Sequence, residues 1–245
     1  MINNLSLLGT FPLCELPINL TGISGQYNTP SKNKKTKKYS KYELYHLDIF
    51  EDLELDDEYK MPIIRPFEGA LPMRLVPFHE AIAKRDYDCT VHFYINDALF
   101  VRVLRQPKRY LSILKRFKSV ITPDFSQFVN MNEAQRRYNA YCNRALGAYW
   151  QNNGVNIIYN VTWSVPDSYG YSFSGVPKNS VVAVNCMGIR GCNASKYLWL
   201  KGYNEMLKRL SPKSIVRYGD VMPDEKEEIS TFFENNQWRR LRHGR

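Results

Sequence analysis

The stretch Ser180–Asp220 reads SVVAVN at 180–185, NASKYLWLKGYNEMLKRL at 193–210 and SIVRYGD at 214–220. An apolar, β-branched run, an amphipathic segment and a second β-branched run make one strand–helix–strand unit. Strands joined by such a crossover pair in parallel, because the helix returns the chain to the same edge. The first run reaches Asn185 and the second reaches Asp220, so both end in a polar or acidic residue.

The same pattern extends toward the N-terminus. Thr90–Tyr94 runs toward Asp97, Ser119–Thr122 toward Asp124, and Val155–Thr162 toward Trp163. Helical spacing covers Asp97–Arg105, Pro107–Phe117 and Asn132–Asn153; Pro107 suits a first helical position and Gly154 a helix stop. Pro62–Arg65 reads as a first strand and Pro77–Lys84 as a short helix. Asp224–Glu234, with carboxylates in its first turn, reads as a final helix. The predicted fold class is α/β: a mostly parallel sheet with alternating helices, an incomplete TIM-barrel-like form, with an open doubly wound sheet as the alternative. Five or six strands are too few for a full eight-stranded barrel. Polar strand ends spread along the chain favour the barrel form, because an open sheet gathers its site at one crossover.

Three regions are expected. Residues 1–59 form an N-terminal extension, with a flexible Lys-rich linker at 25–40 and an acidic segment at 48–58 that could dock as a short amphipathic element. Residues 60–238 form a single α/β domain, and 239–245 a basic tail. The five cysteines, at 14, 89, 142, 186 and 192, show no CxxC and read as free thiols of a reducing compartment. The N-terminus has no signal-peptide pattern and no segment is apolar enough to span a membrane, so a cytoplasmic location is expected.

Several chemistries lack their signatures. There is no P-loop, Gly-rich dinucleotide turn, HExxH or GxSxG. His46, His79, His92 and His243 are too dispersed for a histidine metal site, and no motif names a cofactor. What remains lies at the strand ends. His92, Asp124 and Asp220 are the candidate catalytic residues, able to exchange protons, and Asn160, Trp163 and Asn185 could orient a small-molecule ligand. The plainer readings are that Asp124 shapes a turn and that His92 is a satisfied core histidine. The Gly-, Ser- and Tyr-rich segment 167–180 reads as a lid over the strand ends or as an ordered hairpin.

The formal charge is +10, and residues 60–238 alone carry 24 Lys and Arg against 15 Asp and Glu. The excess belongs to the body and suits a polyanionic partner. Lys108, Arg109, Lys115 and Arg116 fall on one side of the helix that starts at Pro107, with Leu111 and Leu114 on the other; Arg136, Arg137 and Arg144 add charge on the next helix. These seven are candidate nucleic-acid contacts, and a solvated amphipathic face is the plainer reading.

Val91-His92-Phe93 before Asp97, Gln106-Pro107, Pro123-Asp124-Phe125-Ser126, Tyr141, Arg144, Gly147, Trp163, Phe173-Ser174-Gly175-Val176-Pro177, Val182-Ala183-Val184 and Val216–Gly219 follow one another in an order that resembles the family called domain of unknown function 4417, of bacteria, phages and mobile elements. The resemblance covers about 62–220, with Asn185 where that family usually has Ser or Thr. It implies a single domain of phage or mobile-element origin, located in the bacterial host cytoplasm if phage-encoded, and no particular mechanism. The expected function is that of a nucleic-acid-associated accessory protein. The alternatives are an enzyme acting on a small polar or phosphorylated substrate at the strand ends, and a host- or partner-binding module using the acidic segment.

Overall fold

A computed structural model describes residues 45–187, 189, 192–219 and 229–233. The chain divides into two units, Met1–Asp48 and Ile49–Arg245. Of the first, only Tyr45–Asp48 is described, and the architecture below is that of the second. The linker at 25–40, Asp220 and the tail at 239–245 lie outside the described residues.

Seven strands form one sheet: β1 (Leu75–Pro77), β2 (Thr90–His92), β3 (Ser119–Ile121), β4 (Ile157–Asn160), β5 (Val181–Asn185), β6 (Ser214–Tyr218) and β7 (Ser230–Phe233). Every neighbouring pair is parallel and the spatial order equals the chain order. A doubly wound sheet needs a reversal of strand order, and none occurs. The sheet is therefore a curled half-barrel, an incomplete TIM-like barrel. The connecting helices are α1 (Phe78–Lys84), α2 (Arg102–Arg105), α3 (Pro107–Leu114), α4 (Glu133–Asn152), α5 (Tyr169–Phe173) and α6 (Asn193–Leu210).

Strand parity separates two apolar layers. Val91, Val120, Tyr159, Val182 and Ile215 face outward to helix residues such as Leu114, Leu146, Trp150 and Met206. Tyr94, Ile121, Ile158, Ala183, Val216 and Tyr218 face into the curl with Phe67. Burial on both faces is why the central strands read as continuous apolar runs rather than as alternation. The inner layer is closed below by the segment at 64–67: Ile64 N–H donates to Gly175 O (3.0 Å), Arg65 N–H to Gln151 Oε1 (2.8 Å) and Phe67 N–H to Ser180 Oγ (3.0 Å).

These bonds correct one expectation. Pro62–Arg65 is not a sheet strand, because its backbone donors are taken by a loop carbonyl and a side chain; its ladder contact is a single antiparallel bridge from Pro62 to Leu55. The first strand is Leu75–Pro77, too short to stand out. Ser230–Phe233, placed in the final helix by the sequence pattern, is strand β7; its Ser-Thr-Phe-Phe composition suits the open edge of β6. Segment 167–180 is neither lid nor hairpin: it contains α5, with Tyr171 and Phe173 buried. Phe50 and Leu53 of the acidic segment are also buried in the main core, which removes them from any partner surface.

Arg144 of α4 ties these parts together. Its side chain is fully buried, and its guanidinium donates to the carbonyls of Tyr171 (3.1 Å), Ser172 (2.7 Å) and Ser174, and to the Tyr159 hydroxyl (3.1 Å). The C-terminal turn of α5 leaves such carbonyls without helical partners, and one planar cation satisfies several of them. Gly147, one turn further along α4, lets the helix press onto the sheet: a Cβ there would lie 2.5 Å from Thr122 Cγ2 and 3.1 Å from Ile64 Cδ1. Alanine normally favours a helix over glycine by about 1 kcal/mol. Gly147→Ala should instead cost about 1–3 kcal/mol through overpacking, read as a lower urea midpoint. A stabilised variant would contradict the close approach.

Candidate functional site

The carboxyl edge of the sheet is organised around Asp124. It follows β3 by three residues, past Pro123, and its carboxylate lies between the ends of β4 and β5. Asn160, the last residue of β4, donates from Nδ2 to Asp124 Oδ1 at 2.8 Å, and Asn185, the last of β5, donates from Nδ2 to Oδ2 at 2.8 Å. The far ends of both amides settle which way they face. The Tyr94 hydroxyl donates to Asn160 Oδ1 (3.0 Å) and the Met187 N–H donates to Asn185 Oδ1 (3.0 Å). Those oxygens can only accept, so the NH2 groups must point at the carboxylate.

The loop that carries Asp124 is held from other directions too. Asn143 of α4 accepts from Phe125 N–H at 2.8 Å, and Asn139, one turn earlier, donates to Ser126 O at 2.6 Å. Asp97, after β2, accepts from Ser126 N–H and Oγ, each at 3.0 Å, and Gln127 Nε2 donates to Thr162 Oγ1 at 2.6 Å. Bonds to α4 and to the loops after β2 and β4 fix this loop before any ligand arrives, the condition for a defined site. The sequence reading missed Tyr94, Asp97, Gln127, Asn139 and Asn143. One signal was present: Asn139 and Asn143 are four apart, on the side of α4 that carries the buried Ala140, Arg144 and Gly147.

Burial pushes the Asp124 carboxyl up to about 6; the Asn160 amide opposes this, the charge of Asp97 reinforces it, and the Asn185 amide opposes it. Asp124 makes no ion pair among the described residues. The groups behind it are neutral near pH 7. Burial, with a contribution from His79, drives His92 down to about 3. Its Nδ1 accepts from Tyr94 N–H (3.2 Å), and its ring packs on Tyr94 and Tyr218 with centroids at 5.2 and 4.5 Å. Burial and the charge of Asp124 raise Tyr94 well above the usual phenol range, and burial pushes Tyr218 up to about 12.

A cleft of about 270 Å³ opens beside the carboxylate, between the loops that follow β3, β4 and β5. Asp124, Trp163 and Asn185 line it with Phe125, Gln127 and Trp199. Trp163 lies against Trp199 (ring centroids 5.5 Å) and against Gly202 of α6, where a Cβ would meet its indole nitrogen at 2.1 Å. Trp199 Nε1 in turn donates to Asn185 O at 2.9 Å. Thus three of the expected site residues share one cleft and Asn160 supports the carboxylate from behind. His92 sits deeper, joined to Asp124 through Tyr94 and Asn160.

The basic residues separate into two groups. Lys108, Arg109, Lys115 and Arg116 are exposed on α3 and its C-terminal end, and Arg137 is exposed on α4. Arg136 is buried and donates to Val129 O at 3.0 Å, and Arg144 is the buried tie described above. These two cannot belong to a surface that meets phosphates. They lie on the inward face of α4, which charge spacing alone does not distinguish from the outward one.

Asp124 gives stability a measurable pH dependence. The folded protein holds its proton up to about pH 6, whereas an ordinary aspartate releases it near 3.8. Stability should therefore fall as pH rises between these values, by about 3 kcal/mol from this group, with the loss complete above about pH 6. Asp124→Asn should remove that component, seen as a flatter series of urea midpoints from pH 4 to 7. Parallel series for the two proteins would contradict the raised value.

The family described as Domain of unknown function (DUF4417) matches residues 53–236. The chain is similar to the Gene 1 protein of Mycobacterium phage L5, 32% identical over 171 residues that cover 69% of this chain and 74% of the relative. It is also similar to the Gene 1 protein of Mycobacterium phage D29, 30% identical over 189 residues, 73% of this chain and 69% of the relative. No solved structure matches it.

Proposed function

Since the chain belongs to the phage-associated family described as Domain of unknown function (DUF4417), we propose from the site itself that the protein binds a small polar molecule in the carboxyl-edge cleft and exchanges a proton with it through Asp124. The observation that carries this reading is the hold on Asp124: one amide donor on each oxygen, at 2.8 Å, beside an open cleft. Each oxygen keeps a lone pair for a ligand. A carboxyl near 6 is ionised enough at neutral pH to take a proton and acidic enough to return it. The Trp163 and Trp199 rings supply apolar area and Asn185 fixes the orientation of the acceptor. Among the described lining residues there is no Lys or Arg, so a phosphate would meet Asp124 without a counter-charge. A substrate without phosphate fits better than a phosphorylated one.

A panel of nucleosides, sugars, amides and amines, screened by NMR at pH 7, should contain compounds whose perturbations centre on Asp124, Trp163 and Asn185. Asp124→Asn should weaken or abolish them with the rest of the spectrum preserved. A panel that leaves these residues untouched would contradict the reading.

A second reading, association with nucleic acid, is favoured by a separate observation. Residues 98–123 contain seven Lys and Arg and no Asp or Glu. Arg105, Lys108, Arg109, Lys115 and Arg116 are exposed there. Such a face suits phosphate contacts, whose affinity falls steeply with salt. Fluorescence anisotropy with DNA and RNA oligonucleotides should show that salt dependence. Arg105→Gln with Lys115→Gln should reduce the log–log slope by about one for each phosphate that is no longer neutralised. A slope unchanged by the double substitution would count against this face.

A further inference from the structure

Among the described residues, the cleft has a carboxylate and no cation. Asp124 is set into the protein with donors on both oxygens, and those donors are neutral amides. The second carboxylate of the neighbourhood, Asp97, is bonded to Ser126 through its backbone and hydroxyl groups and adds negative potential at Asp124. Tyr94, behind Asn160, stays protonated and brings no positive charge. Arg217 belongs to the helix layer, with its guanidinium 4.2 Å from the Trp199 ring centroid. Among the described residues lining the cleft none is cationic. Charges withdrawn from water are ordinarily paired or neutralised, and a half-buried carboxylate with no cation beside it among the described residues leaves that place open to one from outside. The remaining walls suit that visitor. Phe125 and Trp163 offer aromatic surface, which attracts cations as well as apolar groups.

We infer that the cleft receives a cationic nitrogen group, a guanidinium or a primary ammonium, which pairs with the Asp124 carboxylate against the aromatic wall. This rests on the reading of the cleft as a small-molecule site and narrows its ligand to a positively charged one. The bound cation favours the ionised form of Asp124, so binding releases a proton where the free carboxyl still holds one. Affinity then rises with pH through the range in which Asp124 titrates.

The full-length protein, titrated with ethylguanidinium, propylammonium and neutral ethylurea by heteronuclear NMR, tests this. Ethylguanidinium or propylammonium should perturb the Trp163 indole and the Asn185 side-chain amide at pH 7.5, at least tenfold more tightly than ethylurea. The two cations distinguish a planar from a tetrahedral group. Affinity should fall about tenfold or more at pH 4.5, and Asp124→Asn should lose a similar factor at pH 7.5. The pH arm decides the matter if that variant does not fold. Ethylurea binding as tightly as the cations, or cation binding indifferent to both pH and Asp124→Asn, would overturn the inference. If the cations leave the cleft unmoved while neutral members of the wider panel bind there, the inference falls and the cleft reading stands. If no compound of any kind moves these residues, both fall.

Discussion

A half-buried carboxylate with no cation beside it among the described residues must be held by hydrogen-bond donors, and the carboxyl edge of this half-barrel is built to hold Asp124. The donors depend on strand register. Asn160 pairs with Ala183 across β4 and β5, and Asn185 stands two residues beyond Ala183, so both asparagines share the inner parity of the sheet. Sliding either strand by one residue would turn its amide toward the helix layer and leave one carboxylate oxygen without its donor. The second tier, Tyr94 and Met187, then fixes each amide's orientation. Chain-order parallel pairing supplies all of this at once, because it brings the ends of β2, β4 and β5 to the same edge as the loop after β3.

The helix layer positions that loop. At Gly147, α4 comes close enough to touch Thr122, and one turn earlier Asn143 binds the backbone of Phe125. Arg144, between them, ties the same stretch of helix to β4 and to the end of α5. At Gly175, with φ of +68°, a Cβ would stand 3.1 Å from Pro62 O. Arg144, Gly147, Trp163 and Gly175 are all among the residues that carry the family resemblance, and all four are explained by packing or close approach. Much of what makes the family recognisable is therefore the frame; of the same set, Asp124, Phe125, Ser126 and Trp163 line the cleft, and Asp124 is the one among them that titrates.

The β-branched runs revealed the central strands because those strands are buried on both faces. The short first strand and the segment closing the base of the curl were hidden, since three residues ending in proline carry little periodicity and the hold on 64–67 comes from tertiary contacts. Ser230–Phe233 shows the reverse error, in which a helix-start pattern of carboxylates outweighed a strand composition that the open edge of β6 rewards. At the site, position at a strand end was enough to find Asp124, Asn160, Trp163 and Asn185. It was not enough to separate cleft from interior, which is why His92 was grouped with residues that line the cleft. Arg136 and Arg144 were misplaced because charge normally marks a surface, and a guanidinium satisfied by carbonyls inside a fold breaks that rule.

Everything proposed for the cleft depends on Asp124 being a half-buried carboxylate whose ionisation is held back by its surroundings and still held in reach of neutral pH. The most direct measurement is the pH titration of its side-chain carboxyl carbon by NMR in the intact protein. The value expected is about 6, moving upward when Asn160→Ala or Asn185→Ala removes one of the two donors that oppose burial. A carboxyl that titrates near the ordinary 3.8, and does so whether or not either asparagine is present, would contradict it.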